Sequence, residues 1–162
     1  MLHFLCGSTG AGKSTYAAIL AERLGGIPFY LDEWMAALYG KDISQPLDPA
    51  WMMERVDRCQ QRIWHTAMLI GRSGRPCILE MGFNQRATRT RFAALARAAA
   101  MPVQLHVLDV PREERWQRVL QRNADKSGHL GFALTREMFD FTETMWEPPD
   151  DAEMAALNGL RV

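Results

Sequence analysis

Gly7-Ser8-Thr9-Gly10-Ala11-Gly12-Lys13-Ser14-Thr15 matches the Walker A pattern G-x-x-x-x-G-K-[ST]. The apolar run before it, Leu2-His3-Phe4-Leu5-Cys6, reads as a short buried strand. The run after it, Tyr16-Ala17-Ala18-Ile19-Leu20-Ala21-Glu22-Arg23-Leu24, favours a helix. Strand, glycine-rich loop and helix in that order form a cradle for a nucleoside triphosphate. Gly7, Gly10 and Gly12 let the backbone turn tightly enough for successive N–H groups to face phosphate oxygens, and a helix opening at Lys13 adds the positive end of its dipole. Lys13 is then placed to reach the β- and γ-phosphates, and the Ser14 hydroxyl to ligate Mg²⁺. The cofactors expected from the loop are ATP and Mg²⁺.

Working outward, Gly25-Gly26 stops the first helix, and Ile27-Pro28-Phe29-Tyr30-Leu31 reads as a second strand leading into Asp32. Asp32-Glu33-Trp34 opens a short helix to about Tyr39. After a polar loop, Asp48-Pro49 is an N-cap with proline at the first helical position, and a long helix runs to Gly71 and Gly74 with Met52, Val56, Cys59, Ile63, Ala67 and Ile70 on one stripe. Pro76-Cys77-Ile78-Leu79-Glu80-Met81 is a third strand, followed by a helix over about 84–100. A fourth strand over 103–109 contains Gln104 and His106, which predict a half-exposed strand or one near an edge. Helices over about 111–123 and 135–146 follow, and Glu147-Pro148-Pro149-Asp150 breaks the latter. Only Leu160-Arg161-Val162 remains for a fifth strand, which is short or absent. Strands alternating with helices imply right-handed crossovers and a mostly parallel sheet covered on both faces, with ligands beyond the carboxyl ends of the strands.

A chain of 162 residues buries a core without staples and is expected to form one domain over 1–162. Lys+Arg and Asp+Glu each total 19, so no overall field draws it to long nucleic acid or a membrane surface. Cys6, Cys59 and Cys77 sit in apolar runs and suit reduced core thiols. No run approaches a membrane span and the first residues do not form a secretory leader, so the expected compartment is the cytoplasm.

The informative side chains should follow the strand ends. Asp32 would face the γ-phosphate and accept the proton of an attacking hydroxyl, or else serve as the N-cap of its helix; Glu33 is the neighbouring alternative. Glu80 ends the third strand, placed to hold Mg²⁺ through water, to meet a substrate hydroxyl, or simply to be solvated. Arg115, Arg118 and Arg122 lie three and four apart on one helix face. With Lys126 they form a candidate lid over the triphosphate at about 115–135, Arg122 in the catalytic role and Arg115 in a solvated basic face with Glu113 and Glu114. Arg86 and Arg89 sit in the first turns after Glu80, against the helix dipole, which suggests an anionic substrate group or solvent exposure. Trp34, two residues past Asp32, is the aromatic side chain best placed for a substrate pocket.

The loop at 7–15, Leu31-Asp32-Glu33, Leu79-Glu80-Met81-Gly82-Phe83 with arginines following, and Asp109-Val110-Pro111 through Arg122-Asn123 to Lys126 together resemble the small P-loop kinase family. That family includes the polynucleotide kinase domain, the zeta toxins, chloramphenicol phosphotransferase and related AAA-type ATP-binding proteins. The resemblance implies an α/β, three-layer P-loop NTPase fold with four or five mostly parallel strands in the order 2-3-1-4-5. It also implies transfer of the γ-phosphoryl group of ATP to a hydroxyl of a small molecule or nucleotide, with Asp32 as general base and Arg122 with Lys126 as lid. Glu80 departs from the family's usual aspartate, and Lys126 from an arginine. The acceptor does not carry over. A nucleotide-binding or hydrolysing module without an acceptor, and a nucleic-acid 5′-end kinase, remain as alternatives.

Overall fold

A computed structural model describes every residue of the chain except Gln45, Leu47 and 126–132. Its elements are β1 (Leu2–Cys6), α1 (Lys13–Leu24), β2 (Ile27–Tyr30), α2 (Leu31–Tyr39), a 3₁₀ turn (Gly40–Asp42), α3 (Pro49–Arg72), β3 (Cys77–Glu80), α4 (Arg86–Ala98), β4 (Val103–Val107), α5 (Arg112–Ala124), α6 (Arg136–Thr144), α7 (Asp151–Ala156) and β5 (Leu160–Arg161). The five strands form one sheet in the order β2-β3-β1-β4-β5, and every pairing is parallel. This is the α/β architecture expected from the alternation of elements, with the short fifth strand present.

Alternation along the central strands divides the core in two. Leu2, Phe4 and Cys6 of β1 and Cys77 and Leu79 of β3 face one side, where they pack with Met35 of α2, Cys59, Ile63 and Ala67 of α3, and Phe92 and Ala96 of α4. Leu5 and Ile78 face the other side and meet Ala17, Leu20 and Ala21 of α1. The α3 stripe is thus a core stripe, and its start is fixed as expected: the Asp48 carboxylate accepts the N–H groups of Ala50 (2.9 Å) and Trp51 (3.2 Å) beside Pro49. Cys6, Cys59 and Cys77 are buried and free.

Two expectations need correction. β4 lies next to the edge strand β5, near one edge as expected, but it is not half-exposed, and His106 is buried. Its imidazole meets His3 Nδ1 at 3.0 Å and the Tyr16 hydroxyl at 2.9 Å, so polar groups are tolerated at this depth because they satisfy one another. Burial holds both histidines at a pKa of about 4. The segment after the Glu-Pro-Pro-Asp break also forms α7, capped by Asp150, whose carboxylate accepts the N–H of Glu153 at 2.8 Å.

Candidate active site

The glycine-rich loop leaves β1 at its carboxyl end and enters α1 at Lys13. Gly10 has φ 81°, and a Cβ built there would lie 2.6 Å from the Arg115 carbonyl oxygen, so both the backbone conformation and the close approach of α5 require glycine. Gly12, at φ 89°, makes the left-handed entry into α1. Lys13 Nζ donates to the carbonyls of Gly7 (2.8 Å) and Ser8 (3.2 Å), folding the ammonium over the loop that frames the cradle. Burial lowers the Lys13 pKa, while the nearby charges of Glu80 and Asp32 act in the opposite direction.

Helices α5 and α6 brace the loop from outside. Arg115 is only 6% exposed; its guanidinium donates to both Glu143 oxygens at 2.6 Å, to Thr9 O at 3.1 Å and to Val110 O at 2.9 Å. The Ser8 hydroxyl donates to the same Glu143 carboxylate. Arg115 holds that carboxyl below its usual pKa. Arg115 is therefore an internal brace rather than part of a solvated face, and the Glu143 contact was not anticipated from sequence. Arg118 spans Ala11 O (3.2 Å) and Glu114 (2.6 Å).

A cleft of about 1080 Å³ opens over this loop at the carboxyl ends of the strands. Residues 9–15 of the loop floor it, with Tyr16 and Ile19 of α1 beyond. Asp32 stands at one wall in the first turn of α2, and Glu80, Gly82 and Asn84 at another after β3. Arg118, Gln121 and Arg122 approach from α5, and Val162 closes one end. The structure thus gathers Lys13, Ser14, Asp32, Glu80, Arg118 and Arg122 around one space. Tyr30, not Asp32, is the N-cap of α2, and α2 has no side-chain cap; the exposed Asp32 complements the helix dipole from inside the first turn.

Three expected substrate residues lie elsewhere. Arg89 is 0% exposed and turned inward: its guanidinium donates to Glu153 at 2.8 and 2.9 Å, to Phe83 O at 3.1 Å and to Asn84 O at 3.2 Å. Arg86 pairs with Asp150 and with Glu153 of α7. Both acidic partners lie in the C-terminal segment, so these arginines bind the fold together instead of facing the cleft. Trp34 lies outside that cleft, lining a shallow hollow of about 390 Å³ with Glu33, Ala37 and Leu38 and packing against the core. Lys126, and with it part of the expected lid, lies outside the described residues.

A parallel sheet in this order, with a Walker A loop between β1 and α1 and acids at the ends of neighbouring strands, defines a P-loop nucleotide-binding protein of kinase-like fold. More narrowly, the chain belongs to the AAA domain family, whose model matches residues 2–144. Comparison with curated proteins finds no significant match. Among solved structures it is similar to a "putative kinase" from Chloroflexus aurantiacus, at 22% identity and a TM-score of 0.73, over 92% of this chain and 80% of that one. It is similar also to a sugar kinase from Janibacter sp. HTCC2649, at 17% identity and a TM-score of 0.66, over 99% of this chain and 83% of that one. Chaetomium thermophilum Kti12, in complex with ADP-AlF3, aligns at 12% identity with a TM-score of 0.69, over 100% of this chain and 88% of its own. At these identities the likeness is one of fold. Among the described residues, no helix is long and apolar enough to cross a membrane.

Proposed function

We propose that this protein transfers the γ-phosphoryl group of ATP to a hydroxyl of a small molecule or nucleotide. One observation carries the reading: Asp32 is exposed in the same cleft as the phosphate-binding loop, near enough for its charge to act on Lys13. A nucleotide-binding module has no need of a carboxylate there, whereas a kinase needs one to receive a proton.

In the transfer, the Asp32 carboxylate takes the proton of the acceptor hydroxyl as that oxygen forms its bond to the γ-phosphorus. The bond between the γ-phosphorus and the β–γ bridging oxygen breaks, and ADP leaves with the bonding pair. Loop N–H groups and Lys13 hold the phosphates, and Arg122 and Arg118, on the cleft side of α5, stabilise the charge spread over the transferring group. Mg²⁺ suits this donor set. The Ser14 hydroxyl and, through water, the Glu80 carboxylate would hold the ion, a small all-oxygen set of protein ligands of the kind nucleotide-bound Mg²⁺ takes. When bound, the ion neutralises phosphate charge.

The kinase names among the structural neighbours support this class of reaction, and the sugar kinase supports a hydroxyl acceptor. The test is Asp32→Asn, assayed by phosphotransfer across a panel of hydroxyl compounds and by ATP titration. Transfer should fall about 10²–10⁴-fold with ATP affinity retained. Retained transfer would remove Asp32 as the base.

A further inference from the structure

One side chain fastens the last turn of α5 to the approach of α6. The Asn123 amide nitrogen donates to the Leu134 carbonyl at 2.9 Å, and the amide oxygen accepts the Leu134 N–H at 3.0 Å. A primary amide carries a donor and an acceptor side by side, so it takes up both backbone groups of one residue; a carboxylate would offer acceptors alone. Asn123 lies one residue before the end of α5 and Leu134 two residues before the start of α6, so the clasp joins two elements.

Leu134 is a fixed post. The next residue, Thr135, caps α6 by accepting the Met138 N–H at 3.2 Å. At the far end of that helix Glu143 is held by Arg115 at 2.6 Å and by the Ser8 hydroxyl of the phosphate-binding loop. The last turn of α5 is thereby moored, through α6, to the loop that cradles the phosphates. Arg122 lies in that turn, directly before Asn123, and both Arg122 and Leu134 line the cleft. Helix ends leave backbone carbonyls without partners inside the helix and open at little cost, so an arginine in a last turn needs its backbone held if its guanidinium is to meet a reacting group in one place. We infer that Asn123 is a positioning residue that acts through Arg122: by tying the end of α5 to Leu134 it keeps Arg122 on the cleft wall, where its guanidinium serves the transferring phosphoryl group. This inference rests on the phosphotransferase reading, which gives Arg122 that task.

The experiment is a double-mutant cycle on Arg122→Ala, Asn123→Ala and the two together. The probe is ADP with Mg²⁺, titrated calorimetrically with and without aluminium fluoride, a mimic of the phosphoryl group in transfer; the gain in affinity reads transition-state stabilisation without an acceptor. Asn123→Ala should lose about 10–100-fold of the gain, the scale on which a small displacement of a catalytic group is felt, while ADP alone binds within about threefold of wild type. In the Arg122→Ala background the same substitution should change the gain by less than about twofold, because the group it positions is gone. On any hydroxyl that the wild type phosphorylates, kcat should follow the gain. Asn123→Asp keeps an acceptor for the Leu134 N–H and loses the donor to its carbonyl; it should melt close to wild type and still lose part of the gain, and it takes the place of Asn123→Ala in the cycle if the alanine variant does not fold. Losses that multiply in the cycle overturn the inference, since Asn123 would then act without Arg122. So does an undiminished gain in the Asn123 variants, or an affinity for ADP alone that falls as far as the gain. A wild type with no aluminium fluoride gain removes the phosphotransferase reading and this inference with it, whereas a wild type that shows the gain and a multiplicative cycle removes this inference alone.

Discussion

Glu153→Ala tests the clasp between α4 and α7, and its magnitude follows from the burial of Arg89. The guanidinium is 0% exposed and directs two of its nitrogens at the Glu153 carboxylate, at 2.8 and 2.9 Å. Truncating Glu153 leaves a permanently charged group inside the protein with only the Phe83 and Asn84 carbonyls as oxygen acceptors. Breaking a buried ion pair from one side costs about 3–5 kcal/mol. The Glu153 side chain is itself 15% exposed, so water can reach the vacated position and the lower end, about 3 kcal/mol, applies. For a chain of 162 residues, 1 kcal/mol shifts Tm by about 3 °C, so the expected loss is about 9 °C. Asp57→Ala is the control, since the Arg91–Asp57 pair is 44% and 45% exposed and contributes less than about 1 kcal/mol. The assay is calorimetric melting of both variants beside the wild type. Arg89→Met combined with Glu153→Leu should be less destabilised than the two single losses added together, because neither partner is then left charged and alone. If Glu153→Ala melts no lower than Asp57→Ala, the clasp does not hold the fold, and the inward placement of Arg89 needs another cause.

Lys13→Ala should abolish phosphotransfer and weaken ATP binding, since one ammonium serves both the bound phosphates and the charge developing in transfer; near-normal turnover would end the kinase reading. Gly10→Ala should lower Tm and nucleotide affinity together, because its Cβ would meet the Arg115 carbonyl at 2.6 Å in a left-handed backbone conformation; a melt and an ATP titration indistinguishable from wild type would refute the close approach. His3 and His106 predict acid sensitivity: with folded pKa values of about 4 against 6.5 in the unfolded chain, their protonation favours unfolding, so stability is full above pH 6.5 and falls as the pH drops toward 4. At pH 5 the loss is about 2 kcal/mol by linkage for one proton taken up by the pair, with Tyr16, Arg23 and the N-terminal amine the groups acting on it. Denaturant midpoints that coincide at pH 7 and pH 5 would contradict it.

The nucleotide loop was legible because its determinants are local: glycines at fixed spacing, an apolar strand before and a helix former after. Asp32 and Glu80 were legible for a related reason, since a parallel sheet delivers strand ends to one edge and the acids follow directly. β4 was misread because polarity was taken for exposure. His3 and His106 lie in adjacent strands, in neighbouring registers, and each supplies what the other needs. No rule applied to β4 alone contains that pairing. α7 was missed because its start depends on a single capping aspartate after a proline pair, and six residues are too few for an apolar period to show.

The arginines show where the limit lies. Spacing of three and four puts Arg115, Arg118 and Arg122 on one side of α5, yet seven residues of helix climb about 10 Å, and each arginine meets a different layer of the protein. At the lower level Arg115 encounters Glu143 of α6 and the Thr9 carbonyl, and is drawn inside. A turn higher, Arg118 reaches the loop carbonyl of Ala11 while remaining on the cleft wall, and Arg122 lines the cleft higher still. On α4 the decisive partner of Arg89 is an acid 64 positions later, in the helix that the sequence did not reveal. An arginine near a phosphate site reads the same from sequence whether it will touch phosphate or a buried carboxylate. What separates the two is the height of each turn above the sheet and the presence of an acid at that height. Both are properties of the assembled layers, and the place of Arg89 in the first turns of α4 contains neither.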